Sequence, residues 1–574
     1  MGRLLLRWVQ FVAVLLPSVS AALTEAPDEY HSGPVSIVVR NDAVLVAGRL
    51  SGQVSVLDAG ASKVLDVFGF GKILGGLSPV AGTDFLLAPA ENSDEVLLLR
   101  WRNRRLDKVA SAKVPGTPVH AVASADGRWV SVSALWGRSV SVFRLQGGRL
   151  ELHKRVELPF SPRLQWWSPD GAHLVVLDSF GGQLAVLDAR SFRRLSVRHC
   201  QVSAVRGVLP GPDGKSLLLV HNRVNASNPT TQPMVFYGFV VSSGVLMLDL
   251  DNLLRPSPEP AVRQFGFHPL GDVKAGGADP GQMVFLRDGG FAVCLGGVGE
   301  VAVGDSLGGE FTRIPVGRRP VALAEAADGR HLLVANYFDD DVVVIDLATR
   351  KVLRRVGLNH APDPPSEARR GEVLFYDAKV GLHGWMSCHS CHVDGHATGG
   401  LADTLGDGTV YTPKRIPSLF GTTGTGPWGW DGAKPDLHAQ ILQSMRVTMQ
   451  GSEMKKDTAA NAARLAAYLD TLRAPPSRAE HPPGREVFQR LGCADCHAGP
   501  GYTSAKTYDV GVHDEKGRTK FNPPSLRGLR HRHRFFHDNR AASLEDVFIR
   551  HRHPEGETPD GKDLRNLLLF LRDL

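Results

Sequence analysis

The N-terminal two-thirds of the chain alternates short β-branched runs with Asp-Gly turns, and this pattern repeats at a near-constant step. Asp126, Asp170 and Asp213 each precede a glycine and are 44 and 43 residues apart. Asp-Gly turns between apolar runs indicate β-hairpins, and a period of this length is typical of four-stranded blades. The repeats between residues 31 and 358 therefore predict an all-β, seven-bladed propeller.

One repeat carries a family signature. The segment 334–337, of sequence Val-Ala-Asn-Tyr, and the following run 339–346 resemble the YVTN family of β-propellers. Insertions interrupt the array at 221–237 and 256–280. We interpret the polar first insertion as a solvated loop, with the lining of a binding face as the alternative. The repeats contain no recognisable catalytic constellation, and the fold alone does not give a function.

The pattern changes after residue 358, where apolar residues recur at helical spacing, as in 463–472 and 564–571. Proline-rich segments separate this region from the propeller and divide it in two. The predicted units are a propeller at 31–358, a linker at 359–366, a first module at 367–474, a linker at 475–483 and a second module at 484–574.

The two modules match one another internally. Fourteen residues separate Pro417 from Asp431 in the first module, and fourteen separate Pro524 from Asp538 in the second. A shared spacing between similar segments indicates two copies of one fold. We therefore expect two related, mainly α-helical modules.

The first residues have the order of a secretory signal peptide. Arg3 and Arg7 precede the uncharged apolar run 8–16, and small residues follow up to Ala21. A membrane anchor is the alternative, but this run is shorter than the ~20 apolar residues that a bilayer requires. We expect cleavage after Ala21, leaving a periplasmic protein that does not span the membrane.

Composition adds little to this picture. Apolar residues make up 43% of the chain and charged residues 22%, as in ordinary globular proteins. The formal net charge of +7 becomes +5 when the two arginines of the signal peptide are removed (7 − 2). This mild excess points to no particular partner, and we expect no nucleic-acid partner.

Four of the six cysteines form two copies of the pattern C-x-x-C-H. The residues concerned are Cys388, Cys391 and His392 in the first copy and Cys493, Cys496 and His497 in the second. Two thiols at this spacing can form thioethers with the two vinyl groups of one haem, and the adjacent histidine is then its proximal iron ligand. Zinc needs four ligands at one site, whereas the two cysteine pairs lie on separate modules. A thioredoxin-type pair needs a strand–helix context, which neither motif has. Both motifs therefore predict covalent haem c, one in each of two cytochrome c modules.

The remaining cysteines, Cys200 and Cys294, lie in strand-like repeats and are far apart in sequence. Small apolar surroundings favour buried structural thiols. A disulfide between them is the alternative, because an exported protein meets an oxidising compartment.

Several segments around the haem motifs resemble the di-haem cytochrome c peroxidase and MauG family, over about residues 365–574. The matching segments are 374–377, 416–419, 430–432, 535–538 and 544–546. The resemblance implies that hydrogen peroxide, or another small oxidant, is reduced at the first haem. It implies that the second haem takes electrons from a small donor protein, a cytochrome or cupredoxin, with Trp430 between the haems. MauG-like members oxidise residues of a partner protein, so a protein substrate is a further implication.

The distal side of the first haem departs from the family. The segment 405–408 lacks the histidine that closes the site in several members, so an open site is expected. Gln440 matches the family's distal glutamine, but Gln450 stands where the acid–base glutamate is expected. An amide cannot transfer a proton as a carboxylate does, which weakens the peroxidase interpretation unless Glu453 substitutes. With Trp430, both glutamines are the candidate catalytic residues.

Met445 and Met449 present an alternative for the same haem. Either thioether could bind the iron and close the site, although a place in the helix core is the simpler interpretation. A closed site would leave a non-enzymatic electron-transfer cytochrome whose propeller docks a partner. This carrier is the second functional hypothesis.

At the second haem, the family's distal axial ligand corresponds to His551, with His553 as the competing candidate. Histidine would give a bis-His haem of lower potential than His/Met. The basic runs 530–534 and 550–553 are interpreted as partners of the haem propionates together with solvated surface. Docking of an acidic electron-transfer partner is the alternative. Ile416 stands where the family has an asparagine ligand to calcium, which argues against a calcium site.

Overall fold

In the computed structural model of the chain, the described residues are 31–257, 259–358, 365–451, 458–475, 481–554 and 558–574. The predicted signal peptide and Glu453 lie outside the described residues. Among these residues, no helix has the length and apolarity needed to cross a bilayer.

The described part of the N-terminal region forms seven four-stranded sheets, each built from four consecutive antiparallel strands. The predicted seven-bladed propeller is therefore confirmed. The strands are β1–β4 at Pro34–Val39, Ala43–Gly48, Gln53–Asp58 and Val64–Gly69; β5–β8 at Ser78–Pro79, Phe85–Ala90, Glu95–Arg102 and Arg105–Lys113; β9–β12 at Pro118–Ala123, Trp129–Ala134, Ser139–Gln146 and Arg149–Glu157; β13–β16 at Pro162–Trp167, His173–Asp178, Gln183–Asp188 and Arg194–His199; β17–β20 at Ser203–Pro210, Ser216–Val224, Val241–Asp249 and Gln264–Pro269; β21–β24 at Pro280–Phe285, Phe291–Leu295, Glu300–Gly304 and Phe311–Pro315; and β25–β28 at Pro320–Glu325, His331–Asn336, Asp341–Asp346 and Lys351–Gly357.

The Asp-Gly turns explain the regular blade geometry. In the fourth blade, Ser168 Oγ donates to Asp170 Oδ1 at 2.5 Å, and the Ala172 amide donates to the same oxygen at 3.0 Å. Gly171 then adopts φ of +67°, a left-handed conformation that glycine reaches without steric cost. The turn is thus closed by the aspartate side chain and reversed by the glycine.

Apolar clusters between neighbouring blades hold the ring together. Because each blade uses only consecutive strands, no shared strand closes the ring. Closure comes instead from a buried cluster that joins the first and last blades, in which Val44 and Val46 pack with Leu333, Val342 and Val344. Burial of apolar surface is therefore the force that closes the propeller.

Cys200 and Cys294 are both buried and free. Burial raises the pKa of the Cys200 thiol to about 12. Protonated thiols in apolar surroundings are unreactive, which confirms the interpretation as structural residues.

The C-terminal region is mainly helical, as predicted. Its helices are α3 at Glu367–Tyr376, α4 at Cys388–Cys391, α5 at Leu437–Gln443, α6 at Thr458–Thr471, α7 at Pro482–Arg490, α8 at Leu544–Ile549 and α9 at Gly561–Asp573, and short helices α1 and α2 lie within the propeller at Gln232–Phe236 and Leu250–Leu254. In each module the first helix crosses the last, α3 with α6 and α7 with α9. A glycine lies at each crossing, where a Cβ on Gly371 would overlap the Arg464 carbonyl and one on Gly484 the Asn566 carbonyl.

The propeller insertions dock onto the first module. The Trp385 indole donates to the Phe236 carbonyl at 3.0 Å, and the Gly276 amide donates to the His383 carbonyl at 2.8 Å. Glycines at 238, 271 and 276 leave room for this contact, since a Cβ at each would meet the Trp385 ring or backbone. The interpretation of 221–237 as a solvated loop was wrong at both ends of the insertion. His221 and Asn222 are buried within β18, and Trp385 contacts Phe236, whereas Arg223 and Ser227 between them are exposed.

Candidate functional site

The first C-x-x-C-H motif lies on α4, a single helical turn. Ser387 and Ser390 cap this turn reciprocally, which fixes its start. His392 follows directly, and its Nδ1–H donates to the Pro417 carbonyl at 2.9 Å. Burial lowers the pKa of His392 to about 4. The imidazole is therefore neutral, and its Nε2 lone pair is free to bind a metal.

The second motif repeats this arrangement in the other module. A tight turn at Cys493–Asp495 carries the cysteines, and the His497 Nδ1–H donates to the Tyr502 carbonyl at 3.1 Å. Burial lowers the pKa of His497 to about 4. Both predicted proximal histidines thus have the same tautomer and the same free nitrogen. We name the two motifs site 1 (Cys388, Cys391, His392) and site 2 (Cys493, Cys496, His497).

The four motif thiols are free. Burial raises the pKa of Cys388 and of Cys391 to about 12 and that of Cys493 to about 11. A structural zinc site needs four ligands in one place, whereas the two cysteine pairs lie in separate modules. In the described part of the chain, no group of three or more His, Cys, Asp or Glu residues is arranged to hold a metal ion.

Site 2 opens onto a largely apolar cavity. Its walls include both cysteines, His497 and, on another side, His553. The His497 and His553 rings are 6.5 Å apart between centroids and nearly perpendicular. Two imidazoles that bind one metal from opposite sides at about 2 Å each have ring centres roughly 6 Å apart. The cavity therefore fits a haem held between these two histidines.

His551 lies elsewhere. Its Nε2 is 3.8 Å from Asp546 Oδ2, and its ring packs edge-on against Phe536 at 5.3 Å. The structure thus brings His553, the competing candidate, to the side of the cavity that faces His497. The alternation of arginine and histidine in 550–553 could not distinguish the two by sequence.

Two arginines at this cavity form no ion pair with an acidic residue of the described structure. Arg415 and Arg532 both line it, and burial lowers their pKa values to about 9 and about 10. The Nε of Arg532 is buried without a hydrogen-bond partner in the described structure. Uncompensated buried cations require an anionic partner, and the propionates of a haem supply one. This observation supports the interpretation of the basic run as a propionate partner.

Trp430 lies at the boundary of the two modules. Its indole donates to the Arg415 carbonyl at 2.9 Å, and the Arg415 guanidinium lies 5.3 Å from its ring centre. The Asn522 amide of module 2 donates to the Trp430 carbonyl at 2.9 Å. Trp430 also lines the site 2 cavity. Trp430 therefore lies beside site 2, where the two modules meet.

A family model described as di-haem cytochrome c peroxidase matches residues 365–475. Over about a third of its length this chain is similar to MauG and to a cytochrome c peroxidase. The predicted resemblance is therefore confirmed.

Two relatives illustrate the relationship. The methylamine utilization protein MauG of Methylorubrum extorquens is 27% identical over 241 residues, which cover 32% of this chain and 68% of the relative. The cytochrome c551 peroxidase of Nitrosomonas europaea is 23% identical over 244 residues, covering 32% and 72%.

Solved structures also resemble the chain. The hydrazine synthase of Kuenenia stuttgartiensis is 21% identical with a TM-score of 0.49, covering 56% of this chain and 97% of that one. A streptogramin B lyase is 12% identical with a TM-score of 0.40, covering 54% and 91%.

Gln440 and Gln450, the two glutamines predicted on the distal side of the first haem, have different hydrogen-bond partners. Gln440 donates to Ser444 Oγ at 3.3 Å within its own helix. Gln450 donates to the Val447 carbonyl at 2.7 Å and to the Thr230 carbonyl of the propeller at 2.8 Å. The Gln450 amide is therefore committed to backbone partners, and the structure does not bring it against Gln440. Neither interaction gives Gln450 an acid–base role.

The two methionines lie in the core next to site 1. Met445 and Met449 are buried in one apolar cluster, and Cys388 and Cys391 pack against that cluster. A place in the helix core was the simpler interpretation, and the packing agrees with it. The same packing also keeps both thioethers close to the motif.

The sequence analysis missed the propeller residues that hold site 1. Asp279 accepts from Ser390 Oγ at 2.7 Å, and Asp394 pairs with Arg163 at 2.9 Å and Arg206 at 2.8 Å. Contacts between residues more than a hundred positions apart leave no local pattern. The only sequence signal was the position of Asp279 at the end of an insertion.

Proposed function

We propose that this chain is a periplasmic di-haem c-type oxidoreductase of the peroxidase type. Hydrogen peroxide is reduced at site 1, and a small donor protein, a cytochrome or cupredoxin, delivers electrons at site 2. One observation carries the proposal: two matched histidines, His392 and His497, each donate Nδ1–H to a backbone carbonyl and keep Nε2 for iron. The leader sequence at residues 1–21 supports export.

When bound, each haem c supplies an iron centre that changes oxidation state. His392 and His497 would each bind the iron of one haem through Nε2, and His553 would be the second ligand at site 2. The carbonyl partners fix the orientation of the proximal rings and increase the basicity of Nε2. Arg415 and Arg532 neutralise the propionates at the site 2 cavity.

The overall reaction balances without another reactant. Peroxide takes up two electrons and two protons, its O–O bond breaks, and two waters leave. The donor protein is oxidised twice, and the electrons cross the module boundary beside Trp430. Protons arrive from water because Gln450 cannot donate one, and Gln440 is the side-chain amide proposed to orient the peroxide.

The carrier hypothesis remains the alternative, favoured by Met445 and Met449 in the cluster beside site 1. A thioether bound to the iron would leave no position for peroxide. The two functions differ in one property that can be measured, the consumption of peroxide by the reduced protein.

The experiment is peroxide-dependent oxidation of a reduced small cytochrome by the purified holoprotein. We expect two donor molecules oxidised per peroxide. Trp430→Phe should slow this reaction about tenfold or more while haem content is retained, because the aromatic contact at the boundary changes. Trp428→Phe is the matched control, since the Trp428 indole donates to Thr422 Oγ1 at 3.4 Å and does not line the site 2 cavity. Absence of peroxide-dependent oxidation in the wild-type protein would contradict the proposal.

A further inference from the structure

One face of the site 1 motif is turned toward the propeller. Ser387 Oγ and Ser390 Oγ both donate to the Asp279 carboxylate, the latter at 2.7 Å. His389, the first of the two residues between the cysteines, has its Nδ1 3.5 Å from Asp279 Oδ1. The variable residues of the motif are thus held by one carboxylate from another domain.

The Asp279 carboxylate is built to remain ionised in the interior. Its side chain is only 7% exposed, and it also accepts from Asn222 Nδ2 at 2.7 Å. Burial raises the pKa of Asp279, but the nearby His389 and the hydroxyl donors outweigh burial, so the pKa is lowered overall. A buried anion with this many donors is a fixed negative charge.

A second connection lies one turn further on. His389 Nε2 is 3.1 Å from Asp394 Oδ1, and both Arg163 and Arg206 of the propeller reach Asp394. The His389 ring also packs on Tyr376 at 4.7 Å, and the Arg319 guanidinium covers Tyr376 at 3.4 Å. The motif is therefore fixed on both sides of His389 by propeller residues.

Site 2 has no such support. Its variable residues, Ala494 and Asp495, lie on a turn without buried residues, whereas Ser390 is completely buried. Within the described structure, the hydrogen bonds that reach this turn come from module 2 itself. The two sites thus share their proximal geometry and differ in what lies behind the motif.

We propose that Asp279 is a positioning residue for the haem of site 1, and that through it the propeller sets the properties of that haem alone. Asp279 orients the attachment turn through Ser387 and Ser390 and places a negative charge behind it. A nearby anion stabilises ferric over ferrous iron and so lowers the reduction potential. The inference rests on the proposed attachment of haem to Cys388 and Cys391.

The test is a redox titration of the Asp279→Asn holoprotein, followed by optical and EPR spectra. We expect the ferric–ferrous equilibrium of the site 1 haem to shift about tenfold toward ferrous, which is 59 mV for one electron. The site 1 EPR signal should also change, whereas the site 2 haem serves as an internal standard and should keep its potential. Asp249→Asn is the matched control, because this buried propeller carboxylate bonds only to Asn252 and Arg263.

Ser390→Ala provides a second variant if Asp279→Asn yields little folded protein. It keeps the charge and removes the two hydrogen bonds of Ser390 Oγ, one to Asp279 and one from the Ser387 amide. The potential should therefore move less than in Asp279→Asn while the EPR signal still changes. Unchanged site 1 potential and EPR signal in both variants would overturn the inference, as would equal shifts at both haems. Wild-type protein with no haem at site 1 would instead overturn the proposed function, so the two failures are distinguishable.

Discussion

Single side chains determine the proposed ligand sets. His392 and His497 are neutral because burial lowers their pKa values to about 4, and a backbone carbonyl selects the tautomer of each. The accepting carbonyl belongs to Pro417 in the first module and to Tyr502 in the second. By contrast, the choice between His551 and His553 depends on which ring faces the cavity. That choice follows from packing and not from spacing.

His553→Ala should change the second haem from low-spin to high-spin, because its ring lies across the cavity from His497. His551→Ala is the matched control and should leave the spectrum unchanged, since His551 packs outside the cavity walls. EPR of the ferric holoproteins measures both. If His551→Ala instead gave the high-spin signal and His553→Ala left the spectrum unchanged, His551 would be the second ligand of this haem.

At the scale of elements, the sequence was most informative where periodicity is strong. The β-branched runs and Asp-Gly turns predicted the blades, and helical spacing predicted the terminal helices of each module. The first helix of each module contains a glycine, and the need for that glycine becomes clear only at the helix crossing. Long-range contacts such as Gly371 with the Arg464 carbonyl have no local signature.

Gly371→Ala should destabilise the first module by about 1–3 kcal/mol, because the added methyl group overlaps a backbone carbonyl at the α3–α6 crossing. Thermal unfolding followed by haem absorbance measures the effect. Gly561→Ala is the matched control, since a Cβ there meets no neighbouring atom. Equal unfolding temperatures for the two variants would show that the crossing tolerates a side chain.

For the whole molecule, the propeller and both modules meet at an aromatic junction. Trp136 of the propeller packs against His396 and Phe420 of module 1 and against His531 of module 2. Neither the repeats nor the haem motifs predicted this junction, because each residue belongs to a different unit. The sequence therefore predicted the three units and left their arrangement open.

This junction should make stability depend on pH. Burial lowers the pKa of His396 to about 3, with His533, Arg415 and Arg532 adding repulsion. The pKa of His396 in the folded protein lies below the ordinary value of about 6.5. Its contribution to the free energy of unfolding is therefore complete above pH 6.5 and is lost as pH falls toward 3.

In the wild-type protein, protonation of His396 should lower the free energy of unfolding by up to about 1.4 kcal/mol per pH unit in that window. His396→Gln should remove this part of the decrease. Chemical denaturation between pH 4 and pH 7 measures the slope. His513→Gln, at an exposed position, is the control and should retain the wild-type slope. An identical slope in His396→Gln would exclude His396 as the source.

The central claim is that site 1 is an open catalytic haem and site 2 an electron-relay haem with two histidine ligands. The most direct test is the EPR and optical spectrum of the purified ferric protein, before and after hydrogen peroxide. We predict one high-spin signal that peroxide removes and that a reduced donor restores, beside one low-spin signal that belongs to the bis-histidine haem. Two low-spin signals that do not respond to peroxide would contradict the account and leave an electron carrier on a propeller.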